Sequence, residues 1–173
     1  MNFAEIKTTD IANGEGVRVS LFVSGCRRHC KGCFNGIAWD FSYGKPFDEE
    51  VENYILEKLS PDYIAGLTLL GGDPFEPENQ RALYPFVKRV KEKYPNKNIW
   101  CYTGYTFEKG SIAEEEVQTE VTRELVSLID VLVDGKFEED LKDIRLKFRG
   151  SSNQRIIDVK RSILTGSIVL CLT

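Results

Sequence analysis

VRVSLFVSGCRRHCKGCFN, residues 17–35, opens as a run of β-branched and apolar residues and ends in a loop with Cys26, Cys30 and Cys33 spaced C-x3-C-x2-C. Residues 17–23 predict a strand that delivers the chain straight into the thiol-bearing loop. Working outward, Asp48 predicts the cap of a helix in which Val51, Tyr54, Ile55 and Leu59 recur at helical spacing before Ser60 and Pro61 end it. A short strand over 67–70 is stopped by Gly71, Gly72, Asp73 and Pro74. Leu83, Phe86, Val87, Val90 and Tyr94 share one face of the next helix, which Pro85 should kink or delimit. A third strand is expected over 98–104. A third helix is expected to carry Val117, Val121, Leu125, Leu128 and Ile129, with the acids 114–116 at the positive end of its dipole. Strands are expected again over 131–135 and 155–159, and the tail 160–173 should supply a closing strand in SIVLCL. The polar stretch 136–147 reads as a surface excursion.

Strands alternating with helices at this spacing predict an α/β fold. The sheet is expected to be mostly parallel with right-handed βα crossovers, either open or curled into a partial, TIM-like barrel, and 1–173 should form a single domain. The unusual residues all follow strands. The cysteine loop, the GGDP turn, the TGY of 103–105 and the DG of 134–135 are therefore expected on one rim, at the carboxyl ends of parallel strands where such folds bind ligands.

Composition narrows the classes. With 173 residues, 42% hydrophobic and 29% charged, the chain can bury a real core. A net charge of -4 with interspersed signs argues against nucleic acid or anionic lipid as partner. The sequence offers no apolar run long enough to cross a membrane and no basic-then-apolar leader, so a cytoplasmic location is expected. Five cysteines, three of them in one loop, make a poor disulfide framework and read first as a ligand set in a reducing compartment. Cys101 and Cys171 lie in apolar runs and are expected to be plain buried residues.

The loop alone leaves its metal open. Zinc would need a fourth ligand, for which His29 is the candidate, although it directly precedes Cys30. A dithiol redox site could use Cys30 and Cys33 but leaves Cys26 unexplained. A four-iron cluster normally takes four cysteines, and with three of them one iron keeps an open position.

C-x3-C-x2-C directly after a strand resembles the signature loop of radical S-adenosylmethionine enzymes. The resemblance implies a [4Fe-4S] cluster on Cys26, Cys30 and Cys33, with S-adenosylmethionine as cosubstrate. It implies a cosubstrate-binding set of Gly32, Cys33, Phe34, Gly71, Gly72 and Asp73, in which Phe34 lies near the adenine and the glycine turn with its carboxylate holds the methionine ammonium group. Chemically this is apt, since glycines permit close approach to main chain and an acid pairs with an ammonium. Alone, GGDP is an ordinary turn.

The strings TDIANGEGVRVSLFVSGC, LLGGDPFEPEN, IWCYTGY, VDGKFEEDL and FRGSSNQRIIDV narrow the match. Over about 3–159 the chain resembles the activating proteins of class III anaerobic ribonucleoside-triphosphate reductase. That family implies a glycyl-radical activase whose substrate is the reductase itself and whose electron donor is a low-potential protein such as a flavodoxin or ferredoxin. Asn13, Arg18, Asn35, Thr103, Asp134 and the segment 149–154 are candidates to line the rim or meet the partner, with turn, cap or surface roles as alternatives. The rival readings are a formate-lyase activase, a deazaguanine synthase type of enzyme, or a non-catalytic iron-sulfur or zinc module.

Overall fold

The computed structural model describes residues 1–171. Strands β1 (Asn2–Asp10) and β2 (Val17–Val23) form an antiparallel pair, with the short β3 (Lys45–Pro46) added outside β1. Helix α1 (Glu49–Lys58) leads to β4 (Ile64–Gly71), and α2 (Pro77–Lys93) leads to β5 (Asn98–Tyr102). A small hairpin, β6 (Phe107–Glu108) and β7 (Ser111–Ile112), precedes α3 (Thr122–Leu128), β8 (Val131–Asp134), β9 (Arg155–Asp158) and α4 (Val159–Thr165). The seven-stranded sheet runs β3-β1-β2-β4-β5-β8-β9. Its centre, β2-β4-β5-β8, is parallel, while β1, β3 and β9 pair antiparallel at the flanks.

The α/β class and the parallel centre agree with the sequence reading. Four details depart from it. The strand Asn2–Asp10 was not anticipated, since its polar alternation leaves only Phe3 and Asp10 buried. The strand Arg155–Asp158 is antiparallel to β8, because the link from β8 is an excursion of loops with one short 3-10 turn instead of a crossover helix. The acids 114–116 do not open α3: they belong to a separate 3-10 turn, Glu115–Val117, and α3 begins only at Thr122. Among the described residues the tail forms no closing strand. Asp158 caps α4 by accepting from Arg161 N, Gly166 ends it at φ 73°, and the later residues contribute one isolated bridge between Ile157 and Leu170. The last residues of that expected strand, 172 and 173, lie outside the described residues.

Alternation assigns the two faces of the sheet. Val19, Leu21, Leu67, Leu69, Ile99 and Leu132 bury against Ile55, Leu59, Leu83, Phe86, Val90 and Leu125 of the helices. Asp48 caps α1 as expected, accepting from Val51 N at 3.0 Å. Helix α2 takes Pro77 in its first turn, where no donor is missed, and runs on through Pro85. Cys101 is fully buried with the helix-side core, and Cys171 packs at the edge of the opposite cluster.

The opposite face carries polar residues in its lower layers. Arg18 is fully buried, and its guanidinium donates to Thr68 Oγ1 at 2.7 Å and to the carbonyls of Glu15, Leu67 and Asn98. Burial lowers its pKa to about 10, so it stays charged at neutral pH. Arg18 is therefore a structural tie near the amino ends of the parallel strands and not a rim residue. Asp134 is likewise structural: it is buried, ion-paired with Arg155 at 2.6 Å, and accepts from Phe107 N. Among the described residues no helix is long and apolar enough to cross a membrane.

Candidate functional site

The rim expectation holds. A cavity of about 690 Å³ opens at the carboxyl ends of the parallel strands, lined by Cys26, Cys30, Cys33, Gly71, Gly72, Asp73, Thr103, Gly104 and Gly135 among others. Phe22, Leu70 and Tyr102 floor it from adjacent strands, because the registers of β2, β4 and β5 place them in one row.

The cysteine loop is held open by its own main chain. Gly25 takes φ 103°, and a Cβ there would lie 2.3 Å from the Phe41 ring. Gly25 N and Cys26 N donate to the carbonyls of Ala38 and Trp39. Gly32, at φ 75°, makes the tight turn in which Cys33 N donates to Cys30 O at 3.1 Å. All three thiols are free; Cys26 and Cys30 are buried and Cys33 is half-buried. Burial pushes the Cys26 thiol up to about 12 and also raises that of Cys30.

His29 takes no part in this set. Its ring stacks on Trp39 with centroids 4.5 Å apart, and it does not line the cavity. Among the described residues no three His, Cys, Asp or Glu side chains gather closely enough to hold a single metal ion. A spread set of three soft donors around a cavity fits a multinuclear iron-sulfur group better than one closed zinc site. Phe34 is not core packing: it is 68% exposed, tilts against Phe137 and lines the cavity.

The glycine turn and the cysteine loop form one hydrogen-bonded unit. Past the end of β4, Gly72 N donates to Val23 O at 2.7 Å and Asp73 N to Gly25 O at 2.8 Å. A Cβ on Gly72 would lie 2.6 Å from Gly25 O, so the glycine allows this approach. Asp73 is buried. Its Oδ1 accepts from Phe75 N and Thr103 Oγ1, and its Oδ2 accepts from Gly104 N at 2.8 Å. Burial outweighs these donors and raises its pKa to about 7. A carboxylate oxygen offers two acceptor positions, so Oδ2 keeps one free.

Sequence reading missed several supports. Asn79 Nδ2 donates to Ser24 O and Asp73 O, tying α2 to both motifs. Glu76, fully buried, accepts from Arg27 N at 2.7 Å and from the Tyr105 hydroxyl. Both follow Asp73 in LLGGDPFEPEN, and the signal available was a polar residue at a buried helical position. Of the other rim candidates, Asn13, Asn35, Thr103, Arg149, Gly150 and Gln154 line the cavity. Ser151 is buried beneath it.

Tyr102 is the remaining feature of the floor. Its hydroxyl is buried and finds no hydrogen-bond partner among the described residues. An unpaired buried hydroxyl costs stability that phenylalanine would avoid. Tyr102→Phe is therefore expected to leave the melting temperature of the ligand-free chain unchanged or higher, as read by circular dichroism. A clear drop would show that the hydroxyl has a partner in the folded chain.

Comparison with known proteins agrees with this geometry. The family described as "4Fe-4S single cluster domain" matches residues 12–157. The anaerobic ribonucleoside-triphosphate reductase-activating protein of Pasteurella multocida is 50% identical over 158 residues, covering 90% of this chain and 96% of that relative. Its counterpart in Haemophilus influenzae is 46% identical over 90% of this chain and 97% of its own length, and that of enterobacteria phage T4 is 40% identical over 90% and 93%. With the thiol loop and the glycine turn joined on one cavity, the chain belongs to the 4Fe-4S single cluster domain family and, within it, to the anaerobic ribonucleoside-triphosphate reductase-activating proteins.

Proposed function

We propose that this chain is a radical S-adenosylmethionine activase that installs a glycyl radical in anaerobic ribonucleoside-triphosphate reductase. A single observation carries the reading: three free thiols and the Gly71-Gly72-Asp73 turn, hydrogen-bonded to each other, face the same cavity. Cys26, Cys30 and Cys33 would hold the [4Fe-4S] cluster. When bound and reduced, it supplies the electron that splits S-adenosylmethionine into methionine and the 5′-deoxyadenosyl radical that takes hydrogen from glycine.

The chain's own residues supply position. Gly71 and Gly72 let the β4 turn press against the main chain of Val23 and Gly25, where a Cβ would lie 2.6 Å from backbone atoms, and Gly32 keeps the loop tight beside Cys33. Asp73 reaches the cavity with one acceptor position on Oδ2 still open, and a buried carboxylate gains from a cationic partner such as the methionine ammonium. Phe34 presents an exposed ring at the mouth, suited to an adenine face. The same reading includes a partial-barrel curvature for the parallel strands, a single domain over 1–173, a flavodoxin or ferredoxin as electron donor, and a cytoplasmic setting without nucleic acid or membrane.

Anaerobic reconstitution with iron and sulfide, followed by S-adenosylmethionine, a strong reductant and the reductase, is expected to give a glycyl-radical doublet by electron paramagnetic resonance. Release of 5′-deoxyadenosine without the doublet would move the protein to another small radical enzyme, such as the formate-lyase activase or deazaguanine synthase type. Tightly bound zinc and no 5′-deoxyadenosine would overturn the reading in favour of a non-catalytic module.

A further inference from the structure

Residues 142–149, KDIRLKFR, form a strap along the cavity whose cationic and apolar residues alternate. Ile144, Leu146 and Phe148 line the cavity, whereas Arg145 and Lys147 are exposed and do not. Both ends of the strap are fixed. Lys142 bridges to Ser151, and Phe148 adopts φ 61° while packing edge-on against Trp100 with centroids 5.3 Å apart. A non-glycine residue keeps such a backbone only where its surroundings over-determine it, so the strap is a preformed wall.

The strap carries four cationic residues, Lys142, Arg145, Lys147 and Arg149. Asp143 is its only acid, and Arg145 occupies it at 2.9 Å. Among the described residues Lys142 and Lys147 have no carboxylate within ion-pair distance, and Arg149 donates to the carbonyls of Ser152 and Gln154. The Lys142 ammonium instead lies 5.0 Å from the centre of the exposed Phe34 ring. Acids 138–140 precede the strap but do not line the cavity, and Glu139 faces Lys31 of the cysteine loop at 3.7 Å. Within the cavity lining itself cations outnumber acids, with Lys7, Arg28, Lys142 and Arg149 against Asp73 and Asp143. A local field of one sign steers an oppositely charged partner and fixes its orientation.

We propose that the strap is the docking seat for the protein substrate, and that it takes an extended acidic segment whose carboxylates meet the strap cations, Lys147 foremost, while its apolar side chains rest on Ile144. A small molecule held inside the cavity could reach Lys142, which lines it, but not Lys147, which lies outside the lining, and Ile144 is 91% exposed. The identity of the partner rests on the activase reading.

The test is the reconstituted full chain carrying Lys147→Glu, at the strap cation that lies outside the cavity lining. Without reductase, its release of 5′-deoxyadenosine is expected to match that of the unaltered chain, which also reports an intact fold and cavity. Its association with the reductase should slow severalfold at low salt and become less salt-dependent than that of the unaltered chain. Unaltered association, or association that stays equally salt-sensitive, would overturn the proposal. Loss of 5′-deoxyadenosine release by the variant alone would also overturn it, since the strap would then be shaping the small-molecule site. If the unaltered chain itself releases none, the activase reading fails first.

Discussion

Cys26→Ala, Cys30→Ala and Cys33→Ala are each expected to abolish 5′-deoxyadenosine release and the charge-transfer absorbance of the reconstituted cluster. The expectation follows from the donor count. The loop brings three thiols to the cavity, His29 is committed to Trp39, and among the described residues no substitute ligand gathers with them. Removing one leaves two, too few to retain an iron-sulfur group that already has an open position. The metal-free fold should be little changed, because the loop is shaped by main-chain bonds from Gly25 and Cys26 to Ala38 and Trp39, which alanine retains. A variant that keeps both absorbance and cleavage would remove that cysteine from the ligand set. Cys101→Ala is the control: its thiol lies in the helix-side core, away from the cavity, and both readouts should survive.

Gly72→Ala is expected to damage the site through its neighbour. The new methyl group would meet Gly25 O at 2.6 Å and Gly25 N at 2.8 Å, and both atoms are backbone that cannot rotate aside. Relief requires the β4 turn and the cysteine loop to separate, which stretches the bond from Asp73 N to Gly25 O and carries Cys26 away from the turn. Overpacking of this kind costs about 1–3 kcal/mol, so the chain should still fold. S-adenosylmethionine affinity should fall steeply, on the order of a hundredfold for a loss near the upper end of that range. Titration calorimetry on the reconstituted protein gives the affinity, and urea denaturation of the metal-free chain gives the stability. Wild-type affinity in Gly72→Ala would show that the close approach is incidental.

The site was legible wherever chemistry and spacing coincided. Cys26, Cys30 and Cys33 in one loop, and Gly71 to Asp73 after the next parallel strand, could be placed on one rim because parallel strands send their following loops to the same edge. What escaped were the contacts that make them one object. Nothing in SGC and GGDP, read separately, shows that Asp73 N bonds to Gly25 O, because that bond depends on the register of β2 against β4. The flanks escaped for another reason. Residues 2–10 alternate but bury little, and β9 turns antiparallel because a helix-free excursion feeds it. Arg18 reads as a rim cation from its charge alone, and its full burial becomes visible only once Thr68 and the carbonyls of Leu67 and Asn98 surround it.

That buried arginine also bears on the fate of a short-lived radical. By tying β2, β4 and β5 together, Arg18 holds in register the strands whose Phe22, Leu70 and Tyr102 floor the cavity. The cavity meets solvent along the strap, where Ile144 of its lining is 91% exposed, so dissolved oxygen and water have access there. A partner seated on the strap would cover that side during the reaction, so the protein substrate would contribute to its own shielding against quenching.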